Sequence, residues 1–282
     1  MAMDEKGLGK HLQAARQKAG LTQQQLCQQA NLSFSTLTKI ERGAIRAPSI
    51  FTIQAIAGAL GTNLDELIGA ATPERRNLLK TKSGVSFIYF DINGSLVHFF
   101  QRAFTNIAQE TGAPADVIES TYWHFNDEVC RGTMSLQDYD QAMKERLQVD
   151  NFDWKRYYLD AVEPIEPLQE LLRWASERYR VGLLTNIMPG FVSAMLSSGK
   201  LPNIHYDAIV DSSEVGTIKP DPKIYEIATE RAAVPPEEIL LIDDTRANLV
   251  AASQLGWHVS LFDDYQQDDS IAKLRATLES AE

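Results

Sequence analysis

Apolar positions in residues 7–70 recur at helical spacing, and no strand-like run interrupts them. LGKHLQAARQKAG closes at Gly20. Thr22 opens TQQQLCQQA, which sets Leu26 and Ala30 on one face, and Ser33 opens SFSTLTKIERG, closed by Gly43. A further helix, SIFTIQAIAGALG, follows Pro48, and NLDELIG makes a last short turn capped by Asn63. From Val85 the pattern changes. Apolar runs (SFIYF, RVGLLT, YDAIV, EILLI, HVSLF) alternate with amphipathic segments such as PLQELLRWASERY, PKIYEIATERAAV and RANLVAASQLG. That alternation predicts a parallel sheet with helices on both faces. Residues 98–163 are helical and rich in aromatics, and they predict an insertion between the first and second strands.

These patterns divide the 282 residues into a helical head at 1–70, a polar, basic linker at 71–84 (ATPERRNLLKTKSG), and an α/β body at 85–282. Within the body, 85–97 and 164–282 form the core and 98–163 the cap. Charge follows the division. The chain carries −11 overall, yet residues 1–70 carry +2, as expected of a DNA-binding module joined to a small-molecule domain. The 44% hydrophobic and 23% charged content is that of an ordinary globular protein. No apolar run nears the roughly 20 residues of a membrane span. The first twenty residues lack an apolar signal core, and Cys27 and Cys130 are too few for a disulfide framework, so a cytoplasmic protein is expected.

Leu21 to Gly43, LTQQQLCQQANLSFSTLTKIERG, reads as helix, short turn, helix. Together with Arg16, Ile40-Glu41-Arg42-Gly43, Pro48-Ser49 and the Ala55–Leu60 helix, it resembles the helix-turn-helix domain of Cro and lambda-type (XRE-like) repressors. The resemblance implies that the second helix enters the major groove of double-stranded DNA. Ser33, Phe34, Ser35, Thr36 and Lys39 then face base edges, while Gln23, Arg42 and Arg46 meet phosphate. Arg16 and Glu41 match the family's internal ion pair. Modest positive charge per monomer predicts a homodimer on an inverted-repeat operator.

In the body, four loops after strands carry chemistry: Asp91 after FIYF, Thr185-Asn186 after VGLL, Lys219 in TIKPDPKIY, and Asp243-Asp244 after ILLI. The carboxyl ends of parallel strands converge on one crevice. Carboxylates, a lysine, a hydroxyl and backbone amides are the parts that hold Mg²⁺ and a phosphoryl group.

The constellation is similar to the haloacid-dehalogenase-like (HAD) superfamily, in the subgroup with a helical cap, and the LTN, KPDPKIY and LLIDDTRAN stretches resemble its small phosphatases. The expected fold is therefore two-domain: an all-α helix-turn-helix, then a HAD-like, Rossmann-like parallel sheet with an inserted α-helical cap. The resemblance implies that Asp91 is nucleophile and metal ligand, and that Asn93 offers its backbone carbonyl to the metal. It implies that Thr185 and Asn186 bind phosphoryl oxygens, that Lys219 neutralises charge, and that Asp244, supported by Asp243, ligates Mg²⁺.

One residue departs from the phosphatase pattern. The second Asp of Asp-x-Asp, which exchanges protons with the leaving group and the attacking water, is Asn93 here. The dehalogenases and some sugar phosphatases of the superfamily also lack it, but the dehalogenases do not use a metal site such as Asp243-Asp244 implies. The expectation is a DNA-binding transcriptional regulator. Its HAD-like domain binds Mg²⁺ and a phosphorylated small molecule, with weak or absent phosphatase activity. The alternative is an active Mg²⁺-dependent phosphatase with a DNA-binding anchor.

Overall fold

The computed structural model describes residues 7–30, 32–45, 48–60 and 78–278. The chain divides into two compact units, Met1–Arg76 and Asn77–Glu282. Arg46, the Asn63-capped turn and the first half of the expected linker lie outside the described residues.

In the first unit, the described residues form α1 (Gly7–Lys18), α2 (Gln23–Gln29), α3 (Phe34–Glu41) and α4 (Ile50–Leu60). The expected caps form. Thr22 Oγ1 accepts from the Gln25 amide at 3.2 Å while Gln25 Oε1 accepts from the Thr22 amide at 2.8 Å, a reciprocal capping box. Ser33 Oγ accepts from the Thr36 amide and starts α3. Leu12, Leu26, Leu37, Ile40, Ile53 and Ile56 fill the core, with Cys27 buried beside them.

The second unit holds a five-stranded parallel sheet: β1 (Phe87–Phe90), β2 (Arg180–Thr185), β3 (Ala208–Asp211), β4 (Ile239–Asp243) and β5 (His258–Leu261), in the order β3-β2-β1-β4-β5. β1 is central and wholly buried. Its alternation separates two cores: Ile88 and Phe90 join Val181, Leu183, Leu240 and Ile242 on one face, while Phe87 and Tyr89 join Leu184, Val210 and Leu241 on the other. A strand covered on both faces reads as a continuous apolar run, which is why FIYF and ILLI are legible.

Between β1 and β2 stand α5 (Gln101–Thr111), α6 (Ala115–Cys130), α7 (Leu136–Leu147) and α8 (Trp154–Ala161), followed by α9 (Glu166–Ser176). The aromatics of the insertion make its core. Phe100 meets Tyr122 edge-on at 5.3 Å, and Trp154 lies 5.6 Å from Phe100 and 4.9 Å from Tyr122. α10 (Phe191–Ser197) follows β2, α11 (Ser212–Val215) and α12 (Pro222–Ala232) follow β3, and α13 (Arg246–Gln254) links β4 to β5. α14 (Gln267–Leu278) closes the described chain.

Candidate functional site

Parallel strands deliver their carboxyl ends to one edge, and register sets the depth. Phe90 pairs with both Leu183 and Ile242, so Asp91 and Asp243, the next residues of their strands, emerge level with each other, and Thr185 follows Leu183 by two positions at the end of β2. Carboxylate oxygens of Asp91, Asp243 and Asp244 lie within 4.8 Å of one another. Lys219 is wedged among them, its Nζ 2.8 Å from Asp91 Oδ1 and 2.5 Å from Asp243 Oδ2. Asp243 is held from the other side by the Thr245 amide at 2.8 Å and by the Asn248 side-chain amide at 3.0 Å.

Burial and crowding set the protonation of the group. Removal from water pushes the Asp91 carboxyl up, Lys219 pulls it back, and Asp243 and Asp244 push again, to about 7. Burial and the neighbouring Asp243 likewise raise Asp244. Burial alone would lower Lys219, but Asp243 and Asp91 outweigh it and hold the ammonium above its ordinary range.

Gly94 makes the close approach possible. It sits at φ +82°, and a Cβ there would lie 2.2 Å from Asp244 Oδ2. The Thr185 hydroxyl is buried with no hydrogen-bond partner, and so is Ser95 Oγ in the loop after β1. An orphaned buried hydroxyl at the end of β2 is the kind of group that an oxyanion would satisfy. Three converging carboxylates are hard oxygen donors, the set that suits Mg²⁺.

Asn186 lines the cavity, and its side chain also braces the lysine loop. Oδ1 accepts from the Lys219 amide at 2.7 Å, and Nδ2 donates to the Lys219 carbonyl at 2.8 Å. It therefore anchors the lysine loop, a target that its place after β2 gave no way to foresee. Asn93 is gripped from the insertion: the Tyr158 hydroxyl donates to Asn93 Oδ1 at 2.5 Å. Burial raises the Tyr158 hydroxyl well above its ordinary range, while Asn93 as partner lowers it in part. No pattern in the sequence marks Tyr158 for this contact. His124 stands outside the cavity lining, exposed and edge-on to Phe125 at 4.6 Å.

The cavity over these residues measures about 390 Å³; Phe99, Tyr122, Trp123, Asn126 and Arg131 wall its outer part.

In the helical unit, Ser33, Phe34, Ser35, Lys39 and Arg42 are exposed and Thr36 is half-buried. Phe34 stands 51% exposed, which no core role explains. Glu41 is buried and takes Arg16 Nε at 2.7 Å and Gln23 Nε2 at 2.6 Å. Gln23 thus turns one amide hydrogen inward to the core pair and keeps the other for an external acceptor.

The model for haloacid dehalogenase-like hydrolases matches residues 85–256. The chain belongs to that family. A helix-turn-helix model of XRE type matches residues 12–67. The HAD-like body is similar to (S)-2-haloacid dehalogenase 4A of Burkholderia cepacia, at 25% identity over 193 residues, 60% of this chain and 79% of that enzyme. The head is similar to the immunity repressor protein of Bacillus phage phi105, at 43% identity over 65 residues. That match covers 23% of this chain and spans 44% of the repressor's length. A HAD-family enzyme from Bacteroides thetaiotaomicron, solved with magnesium and inorganic phosphate, superimposes with a TM-score of 0.56 at 19% identity, covering 63% of this chain and 94% of that one. The protein is thus a helix-turn-helix DNA-binding domain fused to a HAD-like hydrolase domain. No helix among the described residues is long and apolar enough to cross a membrane.

Proposed function

We propose that this chain is a DNA-binding transcriptional regulator in which the HAD-like crevice binds Mg²⁺ and a phosphorylated small molecule with little or no turnover. The helix-turn-helix occupies 1–70, the linker 71–84 and the crevice domain 85–282. The observation that carries the reading is the Asn93–Tyr158 hydrogen bond. The phosphatase pattern has an acid/base where Asn93 stands. An amide exchanges no proton, and the buried Tyr158 hydroxyl beside it holds its own too tightly to substitute at neutral pH.

The binding parts remain. Asp91, the Asn93 carbonyl and Asp244 would hold Mg²⁺, with Asp243 supporting, and Thr185 and Lys219 would take the phosphoryl oxygens. The metal, when bound, supplies positive charge against the phosphate. On the DNA side, Ser33, Phe34, Ser35, Thr36 and Lys39 on α3 would read bases while Gln23, Arg42 and Arg46 meet phosphate, one set from each copy of a homodimer. The phage repressor's name supports a regulatory role for the head.

The test combines selection and turnover. Selection from a random DNA pool, with and without Mg²⁺ and phosphorylated metabolites, should enrich an inverted repeat, and phosphatase assays with Mg²⁺ should stay near background. Failure to enrich any sequence at low salt overturns the regulator. Robust hydrolysis abolished by Asp91→Asn replaces the binding crevice with the alternative, an active phosphatase carrying a DNA-binding anchor.

A further inference from the structure

The phosphate end accounts for only part of the cavity. About 390 Å³ is the size of a pocket for a small organic molecule, so the bound compound extends outward from Lys219 toward the insertion. What it meets there is aromatic. Trp123 is 49% exposed and Phe99 39% exposed, and both line the cavity. Their rings are parallel to within 9°, with centroids 6.1 Å apart. Trp123 is fixed rather than loose: Tyr122 packs edge-on against it at 4.9 Å, and its indole N–H points to Glu119 Oε1 at 3.4 Å. Rigid, half-exposed aromatic faces at a pocket mouth stack flat rings at little entropic cost.

The polar groups of the outer wall decide between a sugar and an aromatic ring. A polyol needs a free partner for each hydroxyl. Here the Tyr122 hydroxyl donates to Asn126 Oδ1 at 2.5 Å and Asn126 Nδ2 donates to Asp127 Oδ1 at 3.2 Å, so these three wall residues are bonded to one another. Arg131 is different. Its nearest carboxylate, on Asp221, stands 3.9 Å away, beyond hydrogen-bond distance. One guanidinium and two aromatic faces suit a planar ring with an acceptor on its far side, not a ring of hydroxyls.

We propose that Trp123 and Phe99 form a stacking shelf and that the crevice selects an aryl or heteroaryl phosphate, with Arg131 meeting an acceptor on the ring. This rests on the phosphate-binding reading above. Trp123 is also the reporter: Trp154 and Trp257 are buried, and the half-buried Trp174 is not among the residues that line the cavity.

The experiment titrates the full chain, in Mg²⁺, with phenyl phosphate, glycerol phosphate and inorganic phosphate, following tryptophan fluorescence and calorimetric heat. Stacking of this kind predicts that phenyl phosphate quenches the emission and binds about tenfold tighter than the other two. Trp123→Ala should bring that ratio near one, and Trp123→Phe should keep most of it. Equal binding of all three compounds, or a ratio unmoved by Trp123→Ala, overturns the shelf and leaves the phosphate crevice standing. No binding of any, inorganic phosphate included, overturns the crevice and the shelf with it.

Discussion

The Tyr158 hydroxyl reaches across 65 residues of sequence to donate to Asn93 Oδ1, so the insertion holds the one position where this crevice departs from the phosphatase pattern. With the rest of the site assembled, restoring the acid should restore chemistry. Asn93→Asp is expected to raise Mg²⁺-dependent hydrolysis of phenyl phosphate by about 10²–10⁴-fold, read as initial rates. A variant no faster than the parent places the defect elsewhere in the crevice.

Gly94 ties the backbone of the loop after β1 to the place of Asp244. Alanine there carries a Cβ into Asp244 Oδ2 and strains a left-handed backbone. Gly94→Ala should cost about 1–2 kcal/mol of stability and weaken Mg²⁺ binding by at least about tenfold, by calorimetry. Unchanged Mg²⁺ affinity removes Asp244 from the ligand set.

Asp140, on α7, tests pH dependence away from the crevice. Its carboxyl accepts from the Trp154 amide, yet burial first and Asp153 after it push it from 3.8 to about 6. The folded state then keeps a proton that the unfolded chain has shed, so stability falls as pH rises from about 4 to about 6 and is level above. Asp140→Asn should be more stable than the parent at pH 8, by about 1 kcal/mol once partial exposure is allowed for, and equal to it at pH 4. Denaturant melts at both pH values decide this, and equal stability at pH 8 refutes it.

Glu41 holds two partners at the centre of the helix-turn-helix. Glu41→Gln leaves the buried Arg16 guanidinium without a countercharge and should cost about 3–5 kcal/mol. Faster hydrogen exchange across α2 and α3 would report the loss, with DNA retention falling in step. Exchange at the parent's rate would show that the pair does not hold the unit together.

Much of this was legible in the sequence for identifiable reasons. A central parallel strand is buried on both faces, so FIYF and ILLI stand out as apolar runs, and the residue that ends each must emerge at the crevice. Thr22 and Ser33 announce their helices because capping is local chemistry. What stayed hidden depends on docking between distant segments. Asn186 is expected at the phosphate from its place after β2, and only the folded loop shows that its amide also bonds both polar groups of the Lys219 backbone. Gln23 looks like a pure outward contact until Glu41 is seen behind it. Tyr158 is one aromatic among many in the insertion, and nothing in WKRYYLD distinguishes it.

The lysine wedged between Asp91 and Asp243 has a consequence for the order of events. Three carboxylates against one ammonium leave two negative charges at the floor of the crevice once all are ionised. A phosphate dianion arriving there alone is repelled, whereas a divalent cation cancels the excess and opens the way for it. On the function proposed above, two inputs would have to coincide, metal before anion, which would make the crevice a coincidence detector rather than a receptor for either one.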